Sequence, residues 1–339
     1  MRARAPLALQ GHAPRMTTYL SGIQPSGRPH LGNYFGAIAQ HIALQEEGGE
    51  HFYFIADYHA LTTSRDPAEL RGRVFETAVT YLALGLDPER ATLFRQSEVP
   101  EVTELCWLVS CTSGMGVLER AVSFKDKVQK GISPSIGLFL YPALMAADIL
   151  AYDSDIVPVG MDQVQHVEIA RDLAAAFNAA YGETFVLPRV QISPHAKVPG
   201  LDGEKMSKSY GNDVWIFEAG KPLKKQIARI VTDSRPPEEP KDPEGLLLFE
   251  FLRLFLPPAE LEDWNERVRR GGEGAPGYGH MKTRLAEAIE ERFAPARERR
   301  ARLVERPDEV EAILARGAAR AAERARATRD RALRACGLR

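Results

Sequence analysis

Four short apolar runs, alternating with helix-length segments, constrain this chain more than anything else in it. Thr18 to Ile23, His51 to Ala56, Ala91 to Phe94 and Asp155 to Val159 read as strands. Helices read from about Leu31 to Glu47, Pro67 to Leu86 and Asp162 to Tyr181, the second with Pro at its first turn. Strands alternating with helices of this length argue for right-handed βαβ units and a parallel sheet, an α/β, Rossmann-like fold. In such a sheet a ligand sits beyond the carboxyl ends of the strands. The turns after Ile23, Ala56 and Val159 are therefore expected to converge on one crevice.

After about Tyr210 the pattern changes. Strand-like runs disappear, and segments from Lys221, Glu244, Pro258 and Tyr278 look helical between Arg235-Pro236-Pro237, Pro257-Pro258 and Gly271-Gly272. At 339 residues there is room for two domains. The expected division is an α/β domain over 16–210, an all-helical domain over 211–296, and a C-terminal helical segment over 297–339 that packs back on the α/β domain. Within the last segment, Asp308 to Arg334 reads as an Ala/Arg-rich amphipathic helix with Val310, Ile313 and Leu314 on its apolar side. Residues 1–15 carry Arg2, Arg4 and Arg15 with no acid and no apolar core, and read as a disordered leader.

Charge and cysteine usage narrow the partners. The formal net charge is −2, so the whole molecule is not an obvious nucleic-acid binder. From Ala296 to Arg339, however, thirteen Arg face seven Asp or Glu. That excess suits either RNA phosphates or a solvated, salt-bridged helix, and the sequence leaves both open. Cys106, Cys111 and Cys336 form neither a CxxC nor a metal spacing and read as incidental thiols of a reducing cytoplasm. The longest apolar stretch, Ile136 to Tyr152, carries Pro142 and Asp148 and is too short to cross a bilayer, so no membrane partner is expected.

Two loops carry the chemistry. One is Pro25-Ser26-Gly27-Arg28-Pro29-His30-Leu31-Gly32-Asn33; the other is Lys205-Met206-Ser207-Lys208-Ser209. A Gly-rich turn that opens a helix offers free N–H groups to an anion. Gly32 lets an adenosine approach the backbone with no Cβ in the way, and His30 can donate to a phosphate oxygen. The second loop offers two point charges and two hydroxyls to a leaving polyphosphate. Lysine is scarce here, eleven against thirty-three Arg, yet Lys125, Lys127, Lys130, Lys205 and Lys208 all sit in two expected loops. Asp148 stands in an otherwise apolar helix, and a buried carboxylate needs a partner. Either a group elsewhere in the fold or a ligand satisfies that need.

In these motifs the chain resembles the class I aminoacyl-tRNA synthetases, and among them the bacterial-type tryptophanyl-tRNA synthetases. The likeness runs from Ser21 to the C-terminus. It comprises Ser21-Gly22-Ile23-Gln24-Pro25-Ser26-Gly27, the His30-Leu31-Gly32-Asn33 form of the HIGH motif, and Gln96-Ser97-Glu98-Val99-Pro100. It continues with Met145-Ala146-Ala147-Asp148-Ile149-Leu150, Asp155-Ile156-Val157-Pro158-Val159-Gly160, Asp162-Gln163 and the KMSKS loop.

The resemblance implies activation of L-tryptophan by ATP with Mg2+, giving tryptophanyl-AMP and pyrophosphate. Transfer to tRNA(Trp) follows, by a cytoplasmic homodimer whose helical domain binds the anticodon. It implies His30, Lys205 and Lys208 as catalytic groups, with Lys125 and Lys127 closing over the triphosphate. It places ATP on Gln24, Pro25, Ser26, Gly32, Asn33, Gly160, Met161, Asp162, Val198, Lys205, Met206, Ser207, Lys208 and Ser209. Tryptophan falls to Tyr141, Met145, Asp148, Gln163, Gln24 and His59, with Asp148 accepting the indole N–H and Tyr141 and Gln163 holding the α-amino and carboxylate groups. Leu105, Trp107, Leu108 and Val109 are expected in the subunit interface or the core.

No zinc or iron–sulfur cluster is expected. Met161 stands where the family usually has an acid, and Leu20 where an aromatic often walls the indole pocket. A tyrosyl enzyme is disfavoured by the Met-Ala-Ala-Asp segment. A paralogue that binds tryptophan, or a ring-modified relative, in a regulatory or partner-protein role is the other reading.

Overall fold

The apolar runs pair into a five-stranded, wholly parallel sheet of order β3-β2-β1-β4-β5, in a computed structural model that describes residues 16–120, 135–192 and 198–339. The strands are β1 (Thr18–Ile23), β2 (Glu50–Ile55), β3 (Ala91–Arg95), β4 (Ile156–Val159) and β5 (Arg189–Ile192). The sequence did not foretell β5. Its Arg-Val-Gln-Ile run follows Pro188, and none of its residues is buried, so no apolar period marks this edge strand. Lys125, Lys127, Lys130 and the leader expected over 1–15 lie outside the described residues.

The connections are helical. The first, α1, is one continuous run built from Leu31–Asn33, a π-turn at Tyr34–Ile38 and Ala39–Leu44. Then come α2 (Pro67–Leu84), α3 (Glu101–Cys111), α4 (Ile136–Ala151) and α5 (Val164–Tyr181). Local chemistry sets their ends. Asp66 accepts the Ala68 and Glu69 N–H groups ahead of Pro67, and Gly85 closes α2 in the left-handed region at φ 110°. Ser135 caps α4 by accepting from the Leu138 N–H.

Beyond the sheet the chain is helical: α6 (Gly220–Ala228), α7 (Leu247–Phe255), α8 (Pro258–Arg270), α9 (Tyr278–Val304) and α10 (Pro307–Ala335). α9 runs unbroken through residue 296.

Period-two alternation divides the core. Phe52 and Phe54 of β2 face α3, α4 and α5, while Tyr53 and Ile55 face α1 and α2. The core under α1 and α2 continues without a break into α7, α8 and α9. α10 straddles the open edge at β3. Its Ile313 and Leu314 join one core, and its Ala318, Ala321, Ala325 and Ala332 join the other. Between them a Cβ on Gly317 would stand 2.0 Å from the Leu93 carbonyl oxygen. Only glycine lets the helix backbone lie directly on the strand, and the exposed edge is thereby covered.

The arginines of α10 also find partners on the sheet unit. Arg329 reaches Glu104 at 3.1 Å, Arg326 reaches Glu101 at 3.3 Å, and Arg324 and Arg331 both pair with Asp153. Of the two readings of this basic segment, the salt-bridged one describes these residues, with the acids supplied by the α/β unit.

Candidate active site between the first and fourth strands

The crevice opens where strand order reverses, between β1 and β4. Their ladder holds one pair, Tyr19 with Ile156. Further along, the Ser21 hydroxyl donates to the Pro158 carbonyl at 2.8 Å. Pro158 has no N–H to offer β1, so the strands part at their carboxyl ends, where an α/β sheet holds its ligand.

The HLGN turn and the KMSKS loop meet at one wall of this crevice. Leu31 donates to the Val214 carbonyl at 2.9 Å, Ile216 donates to Pro29 at 3.2 Å, and His30 and Trp215 form an isolated antiparallel bridge. The Gly32 N–H points at the Met206 sulfur, 3.3 Å away, and Lys208 Nζ donates to the Ser26 carbonyl at 2.9 Å.

Asn212 braces the second loop from beneath. It accepts the Ser207 N–H at 2.8 Å and donates to Asp202 at 2.8 Å. Its side chain fills the space a Cβ on Gly200 would need. Met206 is the loop's buried anchor, while Lys205 and Ser209 stay exposed.

Electrostatics divides the labour. Burial pulls His30 down to about 4, with the Lys208 charge adding to the effect, so its imidazole is neutral at physiological pH. Burial also holds the Lys208 ammonium below the ordinary lysine range, against the opposing pull of Asp213. A neutral His30 can offer a hydrogen bond but not a charge. Its ring also occupies the place of a Gly32 Cβ, 2.9 Å from that position, which gives the glycine a second reason besides an approaching adenosine.

A second group of expected residues stands on α4. Tyr141, Met145 and Asp148 follow at helical spacing on one face, and Asp148 is 1% exposed. Its carboxylate accepts His59 Nε2 at 2.9 Å and Gln96 Nε2 at 2.9 and 2.8 Å. Of the two openings the sequence left, a group elsewhere in the fold is present: this pair. Gln96 cannot flip, because its Oε1 accepts the Tyr58 N–H at 3.1 Å. Burial raises Asp148 above the usual carboxylate range, and His59 opposes it.

Beside this lies a polar relay. Tyr141 Oη meets His166 Nε2 at 2.9 Å, His166 Nδ1 meets Gln163 Oε1 at 3.0 Å, and Gln163 Nε2 donates to Asp162 at 3.0 Å.

Two kinds of comparison bear on this site. The profile of the family "tRNA synthetases class I (W and Y)" matches residues 13–294. A tryptophan–tRNA ligase of Rhodopirellula baltica is 58% identical over 321 residues, 94% of this chain and 99% of that one. The chain belongs to the class I tRNA synthetases for tryptophan and tyrosine. A tryptophan–tRNA ligase of Campylobacter jejuni is 50% identical over 303 residues, 89% of this chain and 94% of its own length. The crystal structure of tryptophanyl-tRNA synthetase from C. jejuni, complexed with ADP and tryptophan, superposes with a TM-score of 0.87 at 47% identity. It covers 95% of this chain and 100% of that one.

The class I frame explains where the expected residues sit. Gln24, Pro25 and Ser26 follow β1, and Gly160, Met161 and Asp162 follow β4. Met161 is 61% exposed, and Val198 is buried beneath the second loop. Leu20 is fully buried in the core against α4 and α5 and presents no surface to a pocket. Of the four α3 residues expected in the interface or the core, Leu105, Leu108 and Val109 are core, while Trp107 is 71% exposed. Among the described residues no cluster of His, Cys, Asp or Glu can hold a metal ion, and no helix is long and apolar enough to cross a membrane.

Gln96, His166 and Asn212 take part in these contacts without a role that the sequence alone reveals. The signal for Gln96 was its place directly after β3, at the carboxyl end of the sheet.

Proposed function

We infer that this chain is a tryptophan–tRNA ligase. It activates L-tryptophan with ATP to tryptophanyl-AMP and pyrophosphate, and then esterifies the 3′ end of tRNA(Trp). Identity of 58% to a tryptophan–tRNA ligase across 94% of the chain carries the reading. The residue roles that follow are part of the same proposal.

The tryptophan carboxylate attacks the α-phosphorus of ATP in line. A carboxyl-oxygen–phosphorus bond forms, and the bond to the β-phosphate oxygen breaks. Such a step needs placement and stabilisation of charge, not a protein nucleophile. Lys205 and Lys208 meet the leaving pyrophosphate as charges, and neutral His30 donates a hydrogen bond. Mg2+ arrives with the triphosphate as substrate. Asp148 accepts the indole N–H on a carboxylate already oriented by Gln96 and His59. Phenylalanine leaves that acceptor unpaired, which is a strong basis for rejection. Tyr141 and Gln163, joined through His166, hold the amino and carboxylate ends.

The enzyme works as a homodimer in the cytoplasm, with the helical unit on the anticodon side. Exposed Trp107, Met115 and Ile136 support an apolar subunit contact, and sedimentation reads the subunit number. The deciding experiment is ATP–pyrophosphate exchange driven in turn by tryptophan, tyrosine, phenylalanine and ring-substituted tryptophans, followed by charging of tRNA(Trp). Exchange with tryptophan but not tyrosine or phenylalanine is expected. No exchange with any of them overturns the reading.

A further inference from the structure

Trp215 has no assigned part in the reaction, yet it sits where the two ATP loops join. Its backbone bridges His30, inside the short antiparallel pairing of residues 29–31 with 214–216. Two guanidinium groups lie over its ring. Arg28, from the same turn as His30, is 4.7 Å from the ring centroid, and Arg300, from α9, is 5.4 Å away. Arg300 also lies 5.4 Å from the Phe217 ring and bonds Glu76 of α2 at 2.7 Å. Two cations drawn to one indole, with a carboxylate balancing the second, form a clasp that apolar packing alone does not require.

We propose that Trp215 is a positioning residue for the activation step: the Arg28–Trp215–Arg300 clasp holds the backbone pairing that sets His30 and keeps the Lys-Ser loop closed against the HLGN turn. This rests on the reading that those loops bind ATP.

The pairing at 29–31 and 214–216 is only a bridge with two flanking hydrogen bonds, too short to persist unaided. Arg28 is exposed on a turn whose Gly27 has φ 95°, and the indole adds a side-chain hold on that turn to the Lys208 bond at Ser26 and the Ile216 bond at Pro29. Loosening the clasp frees His30 and the Met206–Gly32 contact together. It leaves Asp148, Gln96 and His59 untouched, because they stand on α4 and on the turns after β3 and β2. The effect is therefore selective for ATP over tryptophan.

The test is a set of variants in ATP–pyrophosphate exchange, with ATP affinity measured in parallel by calorimetry on the full chain. Trp215→Leu is expected to raise the KM and Kd for ATP about tenfold, the scale of two cation–π contacts, and to leave the KM for tryptophan unchanged. Trp215→Phe keeps an aromatic face and is expected to restore most of the loss. Arg28→Gln, at an exposed position, is expected to weaken ATP binding in the native background and to add nothing in Trp215→Leu. Unchanged ATP affinity in Trp215→Leu overturns the proposal, as does an equal rise in both KM values or full additivity with Arg28→Gln. If Trp215→Leu fails to fold, Trp215→Phe and Arg28→Gln still decide it. A native enzyme with no exchange at all would instead sink the ligase reading, while the ATP Kd series would still read the clasp.

Discussion

At the scale of single residues, the proposed tryptophan pocket turns on one buried carboxylate and the donors that face it. Asp148→Asn is expected to lower tryptophan activation about tenfold or more, because an amide no longer offers a charged acceptor where the indole N–H arrives. Unchanged exchange kinetics would remove Asp148 from the pocket. Gln96→Leu is expected to raise the KM for tryptophan about tenfold, while an analogue whose ring lacks the N–H loses far less. Equal losses for both would assign Gln96 to packing alone. Asp148 was legible from sequence because a lone acid in Leu-Met-Ala-Ala-Asp-Ile-Leu contradicts its surroundings. Gln96 was not, because a glutamine after a strand is unremarkable until Tyr58 fixes which end of its amide faces the acid. His30 was legible as a helix-start histidine, but its neutrality comes from burial in the folded chain and from Lys208, which is distant in sequence.

At the scale of elements, the strand–helix alternation and the two loops were readable because each has a local cause: period-two runs, caps, a Gly/Pro turn, a Lys/Ser cluster. The edge strand β5 was not, and although the C-terminal helix was expected to pack back on the first domain, its contact with β3 through Gly317 was not readable either, since both depend on what the chain meets elsewhere. The KMSKS loop acts as a unit braced by Asn212 and Met206. Lys205→Ala combined with Lys208→Ala is therefore expected to lower the activation rate by at least about tenfold while tryptophan still binds. A double variant running at full rate in pyrophosphate exchange would sink that assignment. α10 offers a sharper case. Gly317→Ala places a methyl 2.0 Å from the Leu93 carbonyl oxygen, and helix or strand must shift to admit it. A loss of about 1–3 kcal/mol is expected, read as a lower denaturation midpoint. Equal midpoints would mean that α10 does not bear on β3 in solution.

At the scale of the whole molecule, buried histidines tie stability to pH. Burial brings His41 down to about 3 and His30 to about 4, against about 6.5 in an unfolded chain. As pH falls from 6.5 towards 4, the unfolded chain takes up protons that the folded one refuses. Stability is therefore expected to be undiminished by these groups above pH 6.5 and to decline steadily below it. Melting temperatures followed from pH 8 to pH 4 check this, and a flat profile would contradict it. The covered edge of the sheet has a consequence for how the chain is made. β3 ends at Arg95, and the helix that lies on it begins at Pro307. At ribosomal speeds of 5–20 residues per second, roughly 10–40 s separate the emergence of strand and cover. Throughout that interval the nascent sheet carries a bare, pairing-ready edge. Crowding of ribosomes along one message, more than heat or denaturant, is then the condition under which neighbouring copies of this chain endanger one another.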